Sequence, residues 1–359
     1  MYEPLTESAT LAPGYAAAQH GPRPLTLFLD LVREQTEGDA SRRASVLAGL
    51  RAYQEAERTP RPDDMPIVAR AGRAVLRDYG GEGPPAVFVP SLINPPFILD
   101  LADGNSLLRW LSGQGVRPLL VDWGYPEDGG ALDVAGHVAE RLLPLIDQLG
   151  EPVHLVGYCL GGTMALGAAM HARIRSLTLI AAPWHFAGFG ARARGEIAAL
   201  WEAAKPMAEL IGLVPMEVLQ TGFWKLDPER TVAKYGRFGL LAPGSAEAQA
   251  FIALEDWAND GAPLTHAAGR ELFDDFIGGD VTGGGRWRVG GEAVDPARLR
   301  VPTLEFVSLN DRIVPAASSP RLPNARTLGL GHVGMIVGSR AREQLWQPLA
   351  AMLSQAQQS

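Results

Sequence analysis

The chain has 359 residues, 47% hydrophobic and 20% charged, with a formal net charge of -8. That is enough apolar material for a large core, is unlike a disordered chain, and disfavours non-specific nucleic-acid binding. A single cysteine excludes an intramolecular disulfide framework and any multi-cysteine metal site.

The N-terminal run MYEPLTESAT has no basic segment followed by an apolar one, so no secretory signal is expected. No apolar run of about 18 residues occurs, so no membrane-spanning helix is expected, and the expected location is the cytoplasm. Residues 1–23, rich in Pro, Ala and Gly, read as a loose arm that includes His20. Residues 24–57 carry helical apolar spacing broken near Glu37-Gly38-Asp39, which predicts two helices, and TPRPDDMP is a proline-rich joint. Residues 1–60 thus form an N-terminal arm and helices.

Residues 61–183 then alternate strand and helix. IVARAGRAVLRDY predicts one or two early strands, AVFVP a buried strand, 106–113 a helix, RPLLVDW a strand, and 131–149 a helix. VHLVG and SLTLIAAP are further strands on either side of a helix from Leu160 to about His171. Strands and helices in alternation with short joints imply a mostly parallel sheet covered on both faces. Residues 184–280 break the rhythm with amphipathic segments, four tryptophans and no clear strand, which predicts a helical cap, spanning 184–290, inserted above the sheet. The glycine-rich run 278–294 reads as a flexible return from cap to core. Residues 291–359 complete the core with VPTLEFVSLND, ARTLGL and a last helix from about Ser339.

The segment GYCLGGT has the form G-x-C-x-G, with an apolar strand before it and an apolar helix after it. That context defines a nucleophile elbow and hence an α/β-hydrolase fold. The tight turn holds the nucleophile, Cys159, in a strained backbone conformation, and flanking glycines make room for it. The helix that follows points its N-terminus at the sulfur, favouring a thiolate. In this fold the acid and then the histidine follow the nucleophile. Asp311 ends EFVSLND at the exit of a late strand, and His332 lies 21 residues on, in GLGHVGM. His332 is the candidate base and Asp311 the residue that orients it. The oxyanion donors expected are the N–H of Leu160 and one from SLINPP, Ile93 first and Leu92 next. Of the other histidines, His154 is expected to pack in its strand, His171 to end the elbow helix, His137 to lie on a helix surface, and His185 and His266 to fall in or near the cap.

A cysteine at such an elbow suits a thioester donor. Exchange of one thioester for another is nearly isoenergetic, so the acyl group stays activated until an alcohol accepts it. The aromatic cap residues Trp184, Trp224 and Trp257 are candidates to line an acyl tunnel, with Phe186 and Phe189. No metal and no cofactor is expected; a coenzyme would enter as part of the substrate.

From about Pro84 to Leu353 the sequence resembles the polyhydroxyalkanoate synthases. The likeness is carried by SLINPPFILDL, LLVDWGYP, GYCLGGT, FWKLDPERTVAKY, FIALEDWANDG, WRVGGEAVD, NDRIVP and GHVGMIVGSRA. The resemblance implies polymerisation of (R)-3-hydroxyacyl-CoA with release of CoA, the growing chain held on Cys159, and Asp311 and His332 completing the triad. It also implies a homodimer or an accessory synthase subunit as partner and work at a polymer-granule surface. The short region before the core looks like the class that uses a partner subunit, whereas GYCLGGT looks like the box of the long class. NDRIVP is followed by AASS, without the tryptophan common in the long class. The alternative is a thioesterase or polyester hydrolase with the same triad, and a third reading is a non-catalytic granule-surface protein. Insoluble polymer, free hydroxyacid or an unreactive Cys159 would separate the three.

Overall fold

The computed structural model describes residues 20–126 and 131–355. Most of the expected N-terminal arm, residues 1–19, lies outside the described residues. Eight strands form the central sheet: β1 (Ile67–Ala71), β2 (Ala74–Asp78), β3 (Pro85–Val89), β4 (Arg117–Asp122), β5 (Val153–Tyr158), β6 (Ile174–Ile180), β7 (Thr303–Ser308) and β8 (Ala325–Leu328). Their spatial order is β1-β2-β4-β3-β5-β6-β7-β8. β2 runs antiparallel to both neighbours, and every other adjacent pair is parallel.

The period-two alternation of side chains divides each strand between two cores. Val87 and Val89 of β3 enter a cluster with Leu119, Leu155 and Leu177, while Ala86 and Phe88 enter another with Leu120, Val156 and Phe306. All five residues of β3 and all six of β5 are buried, which is why these strands read as continuous apolar runs rather than alternating ones.

The first two helices are α1 (Leu25–Gln35) and α2 (Ala40–Glu55). They break where the sequence predicts, with the Asp39 side chain accepting from the Arg42 N–H at the start of α2. Helix α3 is Leu107–Ser112, and α4 runs through Val134–His137, Val138–Leu142 in π geometry, and Leu143–Asp147. Helix α5 (Leu160–Ala169) follows the elbow.

Between β6 and β7 stand α6 (Ala191–Ile211), α7 (Met216–Leu226), α8 (Pro228–Phe238), α9 (Ala246–Ala258) and α10 (His266–Arg270, continued in π geometry as Glu271–Gly278). Leu213–Val214 pairs with Leu264–Thr265 in a small antiparallel ladder. Strands of two residues are too short to leave a periodic trace, so the sequence shows none there. The N-terminal helices pack on this insertion: Phe28, Val32, Leu50 and Tyr53 share a core with Trp224, Val232, Tyr235 and Phe238. At the crossing of α2 and α8, a Cβ on Gly49 would lie 1.8 Å from the Tyr235 carbonyl oxygen, so only glycine lets the helices meet. Asp256 ties the two parts together, accepting from Tyr53 at 2.6 Å and pairing with Arg58 at 3.2 Å. Its neighbour Glu255 is buried and paired with Lys234 at 2.7 Å.

Two expectations are corrected here. The run 278–294 is a packed element, not a flexible return. Trp287 in it is 2% exposed, meets Trp184 and Phe276 edge-on, and donates from Nε1 to Glu271 at 2.8 Å. Its glycines serve turns, and the apolar residues between them fill the core. His137 is buried rather than on a helix surface. The β1–β2 hairpin covers that face of α4, placing Arg73 Nη2 2.9 Å from His137 Nε2, while Trp123 meets the ring edge-on. Burial pushes the ring's pKa down to about 4, so it is neutral, with Nδ1 donating to the Asp133 carbonyl at 2.7 Å.

Candidate active site

The turn from β5 into α5 places Cys159 at φ 55°, ψ -132°, a region that non-glycine residues rarely occupy. The surrounding glycines are dictated by contact. A Cβ on Gly157 would lie 2.5 Å from Gly162 Cα, and one on Gly161 would lie 2.1 Å from the Val89 carbonyl oxygen. A Cβ on Gly162 would lie 2.3 Å from Ala182 Cβ. The bend is held by the Cys159 N–H donating to the Ile180 carbonyl at 3.0 Å and the Gly162 N–H donating to the Cys159 carbonyl at 2.8 Å. Cys159 itself remains partly exposed.

Asp311 lies just beyond β7. Its Oδ1 accepts from the N–H groups of Ile313 and Val314 at 2.8 and 2.9 Å, and its Oδ2 lies 2.6 Å from His332 Nδ1. The loop amides thereby fix the carboxylate before it engages the ring. His332 is buried, stacks on the Tyr158 ring at 5.0 Å, and borders the same cavity as Cys159. The Tyr158 hydroxyl donates to the His332 carbonyl at 3.3 Å. Burial by itself disfavours a charged imidazole, but the charges of Cys159 and Asp311, with the hydrogen bond to Asp311, outweigh it. The pKa of His332 is pushed up to about 10. The structure thus brings together the three residues singled out from sequence and favours the protonated form of the His332 ring. Tyr158, whose pKa burial raises well above the ordinary value, stays a neutral donor.

Leu160 opens α5, where first-turn amides have no acceptor within the helix, so its N–H is available beside the sulfur. Ile93 differs from the expectation. Its N–H donates to the Ser91 hydroxyl at 3.1 Å, a local turn bond that commits the amide inside the SLINPP loop. Its side chain does border the site.

Two cavities open at Cys159. The first, about 170 Å³, is lined in part by Trp224, Trp257 and the polar side chains of Ser91, Asn94, Gln220, Thr231 and Lys234. Trp257 is anchored by an Nε1 bond to the Pro95 carbonyl at 2.9 Å. The second cavity, about 120 Å³, is apolar and includes Phe186 and Phe189 in its wall. A third, more open cavity reaches His332 and carries Arg230, Asn310 and Arg312. Trp184 borders none of the three: it is buried against Trp287, with its carbonyl accepting from the Thr282 hydroxyl. Phe223 and Ile313 border all three. Neither stands out in the sequence, although Ile313 lies two residues beyond Asp311 in a loop already marked by its motif. Among the described residues no group of three His, Cys, Asp or Glu side chains could hold a metal ion, and no helix is long and apolar enough to cross a membrane.

The model of the alpha/beta hydrolase family matches residues 86–345. Among solved structures, the Bacillus megaterium epoxide hydrolase has a TM-score of 0.53 at 13% identity, covering 80% of this chain and 100% of that one. DcsB, solved in complex with its substrate analogue, has a TM-score of 0.50 at 16% identity, covering 81% and 99%. At such identities the likeness is one of fold. Closer in sequence is the poly(3-hydroxyalkanoate) polymerase subunit PhaC of Haloferax mediterranei, 29% identical and aligned over 90% of this chain and 70% of its own length. The proteins of the same name from Synechocystis and Allochromatium vinosum are 27% and 25% identical, each over 76% of this chain and over 78% and 81% of their own lengths. The chain belongs to the alpha/beta hydrolase family, and within it is a relative of the poly(3-hydroxyalkanoate) polymerases.

Proposed function

We propose that the protein polymerises (R)-3-hydroxyacyl groups taken from their CoA thioesters. The observation that carries this reading is Cys159 on a strained elbow, sharing a cavity wall with His332 of the His332–Asp311 pair, where two cavities open. The thiolate of Cys159 attacks the thioester carbonyl carbon. The carbon–sulfur bond to the coenzyme breaks, and the departing CoA takes a proton from His332, leaving an acyl group on Cys159. A hydroxyl of a second hydroxyacyl group then attacks that acyl carbon. His332 accepts the hydroxyl proton, an ester bond forms, and the Cys159 thiolate is released. Asp311 holds the ring's tautomer and balances its charge, and the Leu160 N–H faces the oxyanion of each step.

CoA enters this scheme as part of the substrate, with no further cofactor. The same reading takes a homodimer or an accessory synthase subunit as partner, and the cytoplasm and the surface of a polymer granule as the place of work. The polymerase names of the relatives favour chain growth over hydrolysis, while the hydrolase names among the solved structures speak to fold alone. Mass spectrometry after exposure to (R)-3-hydroxybutyryl-CoA tests the scheme. The wild type should gain acyl adducts on Cys159 and form insoluble polymer as CoA is released, and Cys159→Ala should do neither. Equal adducts on both proteins, or free hydroxyacid as the sole product, would overturn it.

A further inference from the structure

The two cavities that meet at Cys159 differ in polarity. In the second one, Cys159 is the sole side chain that is not apolar: helices α6, α7 and α10 supply Leu200, Leu219, Phe273 and Ile277, and the segment after β6 supplies Phe186 and Phe189. A coenzyme arm brings amides and phosphates, and a polyester brings a carbonyl in every repeat. Either would leave its acceptors and donors without partners against such a wall. The first cavity, with Ser91, Asn94, Gln220, Thr231 and Lys234, offers those partners. The piece of the substrate that matches the apolar cavity is the alkyl group on the carbon bearing the hydroxyl.

The size of the cavity is informative. Its volume is about 120 Å³, whereas roughly 10–15 Å³ by the same measure admits one water-sized group. A methyl substituent would leave most of it empty. Gly222 on α7 keeps the wall open, since a Cβ there would come within 3.3 Å of Leu200 Cδ2. We propose that this apolar cavity is a side-chain pocket and that the enzyme prefers 3-hydroxyacyl thioesters with alkyl substituents of several carbons, such as the pentyl group of (R)-3-hydroxyoctanoyl-CoA, over the methyl group of (R)-3-hydroxybutyryl-CoA. The inference rests on the polymerase reading and adds its substrate class.

CoA release from the two thioesters, measured on the purified full-length protein, tests it. In the wild type, kcat/KM for the octanoyl substrate should exceed that for the butyryl substrate by about tenfold or more, in line with the worth of extra buried methylenes. Leu200→Trp, which fills the pocket, should lower that ratio about tenfold or more. Leu200→Ala, which enlarges it, should move the optimum to the decanoyl substrate. A wild-type preference for the butyryl substrate, or an unchanged ratio in both variants, overturns the inference and leaves the polymerase reading standing. Failure of both thioesters to acylate Cys159 overturns the polymerase reading and this inference with it.

Discussion

Replacing Asp311 by Asn tests the coupling at the centre of the site. The substitution is nearly isosteric. An asparagine oxygen in place of Oδ1 can still accept from the Ile313 and Val314 amides, so the loop keeps its shape. The amide nitrogen in place of Oδ2 cannot accept from His332 Nδ1, now 2.6 Å away, and the ring loses both its tautomer constraint and a counter-charge. Burial is the largest influence on His332 and acts downward; without Asp311 it is opposed by Cys159 alone, so the pKa should fall from about 10. Loss of the acid in a serine-protease triad lowers turnover by about 10⁴, or ~5.5 kcal/mol of transition-state stabilisation, and a similar loss is expected here. CoA release should show that drop, and the imidazole proton signals should titrate at lower pH in the variant. Linkage adds a second readout. With a folded pKa above its usual 6.5, His332 contributes stability that is fully present below pH 6.5 and lost as pH rises through about 10. The variant should lose part of that dependence. An Asp311→Asn protein that turns over within tenfold of wild type would refute the role given to the carboxylate.

Gly161→Ala should abolish activity and lower the melting temperature, because the new Cβ would sit 2.1 Å from the Val89 carbonyl oxygen and force α5 away from β3. Thermal unfolding with a parallel CoA-release assay checks it. Glu271 is pushed up to about 7 by burial first and the charge of Asp133 second, and it accepts from Trp287 Nε1 and the Ala135 N–H. Being an acid with a raised folded value, it contributes stability that is full below its usual 4.5 and is lost as pH rises through about 7. At neutral pH the loss is on the order of 3 kcal/mol. Glu271→Gln should therefore flatten the dependence of melting temperature on pH between 5 and 8, and an unchanged slope would show that Glu271 is not its source.

The placement of Cys159, Asp311 and His332 is legible because a tight strand-to-helix turn constrains its local surroundings. A nucleophile between a buried strand and a helix needs glycines where its backbone neighbours crowd, and Gly157, Gly161 and Gly162 meet contacts of 2.1 to 2.5 Å. Asp311 and His332 follow β7 and β8, so the order of the chain placed them at one edge of the sheet. The misread residues depend instead on what lies across from them. His137 sits on an amphipathic helix, and only the arrival of Arg73 and Trp123 from elsewhere in the chain buries it. Trp184 has the composition of a binding residue, yet its neighbour across the core is Trp287, 103 positions later. Ile93 was placed in the right loop, but whether its amide faces the site or Ser91 is a matter of one rotation.

Helix α7 shows why the cavities themselves could not be read. Leu219 and Phe223 lie four residues apart on one face of a single helix, and Trp224 lies about 100° further round, the spread of any broad buried stripe. Leu219 joins the main core and the apolar cavity wall, Trp224 joins the N-terminal helices and the polar cavity wall, and Phe223 separates the spaces on either side. An apolar side chain leaves water whether it meets another side chain or a cavity later filled by an alkyl group, and the transfer term that patterns the sequence is the same in both cases. What distinguishes them is the absence of a partner on the far side, and that is a property of three helices together. On the proposed reading, the chemistry is written in Cys159, Asp311 and His332, and the selectivity in the space that packing leaves open.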